Sequence, residues 1–151
     1  MLRFDKTVGR FPLGVWIAII ALLLLFLAWG MQAYSLLNWD SAVDLGLQND
    51  RLTGDAVERA RAQTDWGVAA ADMLWPLPIA IIALVGILRK RFYGFVAGLV
   101  EFSVGVYFPL VFAFGYWTLY RDTAIIALIL WTIPSLLAII GLWANRQSFQ
   151  T

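Results

Sequence analysis

Apolar and polar residues fall in long blocks along this chain. An uncharged run from Leu13 to Leu37 is followed by a polar stretch, Asn38 to Trp66. Two further apolar runs, Gly67–Leu88 and Phe92–Tyr116, flank the basic turn Arg89-Lys90-Arg91, and a fourth, Ala124–Trp143, follows a tight turn at Leu119–Thr123. Each run reaches the ~20 residues that a helix needs to cross a bilayer. The blocks predict an all-α, polytopic four-helix membrane bundle forming a single domain over residues 1–151, with spans at about 13–37, 67–88, 92–116 and 124–143. A cleaved signal peptide would also place basic residues before an apolar run. The first run is longer than the ~7–15 residues of a signal core, which favours a retained helix.

Within the spans, small and polar residues recur at helical spacing. The third span carries Gly94, Gly98, Glu101, Gly105 and Phe108/Pro109 on one stripe. The second offers Asp72, Trp75/Pro76, Ile79, Ala83 and Gly86; the first Gly14, Ala18, Ala21, Leu25, Ala28 and Gln32; the fourth Ala127, Trp131, Ser135 and Ala138. Narrow small-residue faces allow close helix packing in a membrane. Pro76, Pro78, Pro109 and Pro134 lie inside spans, where each removes a backbone hydrogen bond and can bend its helix. In the polar stretch, Asp55-Ala-Val-Glu58 fits a capping box and predicts a short helix at about 56–64. Ser41–Leu47 is either an amphipathic piece on the headgroups or a solvated connector.

Composition agrees with the blocks. The chain is 62% hydrophobic with mean hydropathy +0.78, well above the ~45–50% apolar content of soluble domains. Net charge is +1, which offers no basic surface to nucleic acid. With no cysteine and no histidine, the sequence excludes disulfides, CxxC redox pairs, thiolate zinc sites and His-ligated haem. No redox or metal chemistry, metal ligand or cofactor is expected.

Charge placement gives an orientation. Arg3, Lys6, Arg10, Arg89, Lys90, Arg91 and Arg146 fall on one side, against Arg51, Arg59, Arg61 and Arg121 on the other. Lys/Arg excess marks the cytoplasmic face, so both termini are expected inside and the 29-residue loop 38–66 outside, in a bacterial cytoplasmic (inner) membrane. The Arg89-Lys90-Arg91 turn reads as a topology anchor.

Two acids then stand out. A carboxylate at the bilayer centre costs at least ~2.5 kcal/mol on insertion scales and is a functional-site candidate. Glu101 lies ~13 Å above the inner end of its span and Asp72 ~7 Å below the outer end of its own, so the two differ by ~10 Å in depth. That spacing argues against a shared-proton dyad and suggests the polar mouth and floor of one cavity. Ser135, Thr132 and Trp131 are the expected neighbours of Glu101; Gln32, Trp75 and Tyr107 lie nearer the level of Asp72.

The run Asp72-Met-Leu-Trp-Pro-Leu-Pro78, leading into Ile-Leu-Arg-Lys-Arg91, resembles the second core helix of the EXPERA family. Gly105-Val-Tyr107-Phe-Pro109 is similar to the next helix of that family, and Trp131-Thr-Ile-Pro134 to its last. The resemblance covers about residues 70–135 and implies an apolar cavity for a sterol-like or amine-bearing ligand, with Asp72, Trp131 and Tyr107 as pocket residues. The first span lacks the histidine and acid of the isomerase members, so the resemblance does not extend to sterol isomerisation.

The sequence reading is therefore a membrane protein that binds a hydrophobic small molecule, with ligand-binding candidates Asp72, Glu101, Trp75, Tyr107, Trp131, Ser135 and Gln32. Catalytic residues are not identified. Alternatives are a proton-coupled transporter using Glu101, a lipid-modifying isomerase-like enzyme, and a non-catalytic accessory subunit. Expected partners are the bilayer and the small molecule, with a second copy or a membrane-complex partner also open.

Overall fold

The computed structural model describes residues 4–149; Arg3 of the basic lead and the last two residues of the tail lie outside the described residues. A two-residue strand β1 (Thr7–Val8) pairs antiparallel with β2 (Phe11–Pro12). Helices follow: α1 (Leu13–Leu37), α2 (Trp39–Asp44), α3 (Ala56–Leu74), α4 (Pro76–Leu88), α5 (Phe92–Tyr116), α6 (Arg121–Ala127) and α7 (Ile133–Ala144). A π-helical turn, Leu128–Thr132, joins α6 to α7, and a 3-10 turn, Arg146–Phe149, closes the described chain. Four helical runs are long and apolar enough to cross a membrane: Leu13–Leu37, Ala56–Leu88, Phe92–Tyr116 and Arg121–Ala144.

The first and third runs have the bounds that the sequence predicts. The second differs. Its helix starts at Ala56, because Asp55 accepts from the amides of Val57 and Glu58 while Glu58 returns a bond to the Asp55 amide. Nothing between Thr64 and Ala71 then breaks the ladder, so the expected outer helix at 56–64 continues without interruption to Leu74. The interruption falls at Trp75 (φ −125°, ψ −68°), as expected ahead of Pro76: a residue preceding proline is disfavoured in the helical region, and neither Pro76 nor Pro78 can donate to the ladder. The buried positions nevertheless keep the spacing of a regular helix across the break. Asp72, Pro76, Ala80, Ala83 and Gly86 are buried, whereas Trp75 faces outward.

The chain forms two compact units, Met1–Leu25 with Ile79–Thr151, and Phe26–Pro78. In the first, glycine brings helices to backbone contact. A Cβ on Gly14 would lie 2.8 Å from the Cα of Gly141, and one on Gly86 would collide with the backbone of Gly94. Gly98 faces Leu142 and Ile87, and Gly105 faces Ser135 and Leu25. The unit is thus a bundle of the first half of α1, α4, α5 and the α6–α7 run. Its N-terminal ribbon is tied down by the Leu13 amide donating to the Lys6 carbonyl (2.8 Å), by Trp16 Nε1 donating to Val8 O (2.8 Å) and by Asn145 Nδ2 donating to Phe4 O (3.1 Å).

In the second unit, Arg51 sits against two indoles, 5.2 Å from the ring of Trp39 and 5.3 Å from that of Trp66. Trp39 Nε1 donates to Asn49 O at 3.1 Å, which fixes the same loop. Asp50 accepts from the Thr53 hydroxyl and the Leu52 amide, and these bonds hold its carboxyl below the usual range. Ser41–Leu47 thus contributes to a folded segment: α2 buries Trp39 and Ala42.

The glycine contacts yield a graded prediction. Gly86→Ala forces backbone apart and should lower thermal stability in detergent by about 1–3 kcal/mol. Gly98→Ala meets only the mobile ends of Leu142 and Ile87, at 2.9 and 3.2 Å, and removes a helical glycine. It should therefore fall within about 1 kcal/mol of the parent. Equal losses for the two would contradict this packing.

Candidate functional site

Glu101 is completely buried in the first unit, on the α5 stripe that also buries Gly94, Gly98, Gly105 and Pro109. Helix register defines its surroundings. On antiparallel α7, Leu142 lies at Gly98 and Ser135 at Gly105, so Ala138 falls opposite Glu101. On parallel α1, Leu25 lies at Gly105 and Ala21 therefore at Glu101; on antiparallel α4, Gly86 lies at Gly94, which brings Ala80 near the level of Glu101. All three alanines are at most 1% exposed. The carboxyl side chain thus occupies space that three neighbouring helices leave by using alanine. Glu101 is itself engaged within the chain.

One turn away, a Cβ on Gly105 would lie 2.5 Å from Ser135 Oγ, so only glycine admits the hydroxyl there. Pro109, four residues on, lacks the amide that would bond the Gly105 carbonyl, leaving an acceptor in the same region. Ser135 Oγ and Thr132 Oγ1 are both buried without a hydrogen-bond partner. Other helical hydroxyls of the chain bond back one turn, Ser103 to Leu99 O at 2.8 Å and Thr64 to Ala60 O at 2.9 Å. A buried polar group left unsatisfied costs about 1–3 kcal/mol. Two such hydroxyls within one turn of each other, near a buried acid, make a polar patch able to receive a hydrogen-bonding group.

The π turn explains why Thr132 belongs to the patch. Its wider winding inserts one residue, so the buried series runs Ala127, Thr132, Ser135, Ala138 instead of passing through Trp131. Pro134, which cannot donate to the preceding turn, stands at the start of α7. Trp131 is displaced to the flank, where its Nε1 donates to Leu24 O at 3.2 Å and clasps α1 to this turn.

Asp72 lies in the second unit, 6% exposed, with Oδ2 buried and without a hydrogen-bond partner. Pro76 lacks the amide that would bond the Asp72 carbonyl. Gln32 is half-buried on the second half of α1. Trp75 and Tyr107 are 64% and 68% exposed. Of the sequence candidates, the first unit brings together Glu101 and Ser135, with Thr132 beside them. Of the alanines opposite Glu101, Ala21 and Ala138 were legible as small residues on the helix stripes, but their level relative to the acid depends on contacts between helices. Asn145, whose amide donates to Gly141 O at 2.8 Å as well as to Phe4 O, carries no sequence signal beyond following the last helix.

Because their hydroxyls bond nothing in the chain, Ser135→Ala and Thr132→Val should leave the thermal stability of the ligand-free protein unchanged or raise it by up to about 1 kcal/mol. A loss above that value would mean that each hydroxyl has a structural role. Comparison with protein-family models, with curated proteins and with solved structures finds no match for this chain.

Proposed function

We propose that this integral membrane protein binds a hydrophobic small molecule within the bundle of the first unit, with Glu101, Ser135 and Thr132 meeting its polar end. The observation that carries the reading is the pair of buried, unpartnered hydroxyls of Ser135 and Thr132, the first of them against Gly105, one turn from a wholly buried carboxylic acid. Binding sites of this kind are mostly apolar, with a few convergent polar groups that fix orientation. The EXPERA likeness of Asp72–Pro78 and Trp131–Pro134 favours a sterol-like or amine-bearing ligand. The Lys/Arg distribution supports an orientation with both termini cytoplasmic.

Mass spectrometry of the detergent-purified protein should find a co-purifying hydrophobic compound, retained by the parent and depleted by more than tenfold in Glu101→Gln and in the Ser135→Ala/Thr132→Val double variant. Parent protein free of any such compound, with all variants folded, removes the reading. If Glu101→Gln instead abolishes pH-driven uptake into vesicles without altering ligand retention, the proton-coupled transporter takes its place.

A further inference from the structure

We propose that Arg10 and Lys90 form a binding site for the phosphate group of an anionic phospholipid, at the end of the bundle where α4 turns into α5. Both side chains approach one ring. The guanidinium of Arg10 stands 5.4 Å from the centroid of Phe11 and the ammonium of Lys90 5.3 Å from it. Phe11 is only 3% exposed, so the ring is fixed and the cations are its polar cover. Arg10 occupies the two-residue turn between β1 and β2, beside Gly9 at φ +60°. Its Nη2 donates to Leu88 O at 3.3 Å, which leaves the rest of the guanidinium fork outward and exposed.

The α4 terminus shows what Lys90 is there for. The Arg91 amide donates to Gly86 O at 2.8 Å and the Lys90 amide to Ile87 O at 3.0 Å, the two bonds of a Schellman closure. That closure places one residue in the left-handed region, where glycine is the usual occupant because it carries no Cβ. Here the position belongs to Lys90, at φ +53°, the one non-glycine residue with positive φ among the described residues. The backbone would be better served by glycine. The lysine there, despite the strain, sets its ammonium over Phe11, the ring that Arg10 also approaches.

Two like charges held against one ring repel each other unless an anion lies between them. Among the described residues no carboxylate is ion-paired with either. The sequence offers only Asp5 as an acid at this end, against Lys6, Arg10, Arg89, Lys90, Arg91 and Arg146. Exposed aromatic side chains lie near the same helix ends, Phe92 at the start of α5 and Trp143 near the end of α7, where Arg146 lies 5.7 Å from the Trp143 ring. Arginine and lysine recognise phosphate by charge-assisted hydrogen bonds, and a lipid phosphodiester sits at this level of a membrane.

The test uses the full chain in nanodiscs of phosphatidylcholine alone, or of equal parts phosphatidylcholine and phosphatidylglycerol, reading thermal unfolding and retention of lipid by native mass spectrometry. The parent should unfold at higher temperature with phosphatidylglycerol and retain it preferentially. Arg10→Gln and Lys90→Gly should each weaken that retention about fivefold and remove most of the thermal gain. Lys90→Gly is the deciding variant: in phosphatidylcholine alone it should unfold at the same temperature as the parent or higher, since it relieves the left-handed strain. Unaltered phosphatidylglycerol retention in both variants overturns the proposal. So does a loss of stability by Lys90→Gly in phosphatidylcholine equal to its loss in the mixed discs. Inorganic phosphate added to phosphatidylcholine discs should give no gain; a gain matching that of phosphatidylglycerol would assign the site to free phosphate and overturn the lipid.

Discussion

Backbone contact between helices, at Gly14 with Gly141 and at Gly86 with Gly94, is the constraint on which the first unit depends. Lipid tails are as apolar as leucine, so burying leucine between membrane helices brings little gain. What remains is dispersion, which grows only when surfaces approach closely. Glycine permits that approach at the basic end of the bundle, and alanine continues it toward the middle at Ala21, Ala80 and Ala138. The same economy of side-chain volume leaves room for one large residue at mid-helix. Glu101 occupies it.

This links packing to chemistry. A carboxylic acid in a membrane interior requires partners, and the helix nearest it carries two hydroxyls aligned by a proline-associated π turn. If Gly105 carried a side chain, Ser135 could not face α5; if the turn were α-helical, Trp131 would take the place of Thr132. The polar patch is therefore a product of helix irregularity as much as of residue type.

How much of this was readable in the sequence follows from the same irregularities. The bounds of α1 and α5 and the inward stripe of α5 are legible, because those helices run unbroken and a period of 3.6 residues holds from end to end. Even Pro109 leaves the α5 stripe in phase. Elsewhere the pattern leaves one residue open or misplaces it. After Asp72 a period of 3.6 residues admits either Trp75 or Pro76, and the chain buries Pro76. In the fourth run the π turn moves the buried position from Trp131 to Thr132, which a regular helical wheel does not foresee. The Arg51 clasp between Trp39 and Trp66, the N-terminal ribbon and the burial of Phe149 arise from contacts between segments that no local pattern encodes.

The π turn has a consequence for how this chain tolerates change in length. One residue in an α-helix corresponds to about 100° of rotation. Deleting a single residue between Ala127 and Thr132 would leave a regular helix with those two positions still on one face, whereas rewinding all five residues as α-helix would swing α6 by about that angle relative to α7. Ala124 and Ala127, both buried, would leave the packed face, and the exposed Ile125 or Ile126 would turn toward it. The segment Leu128–Thr132 is thus a phase adjuster: it lets two halves of one span, each with its own inward stripe, share a single axis.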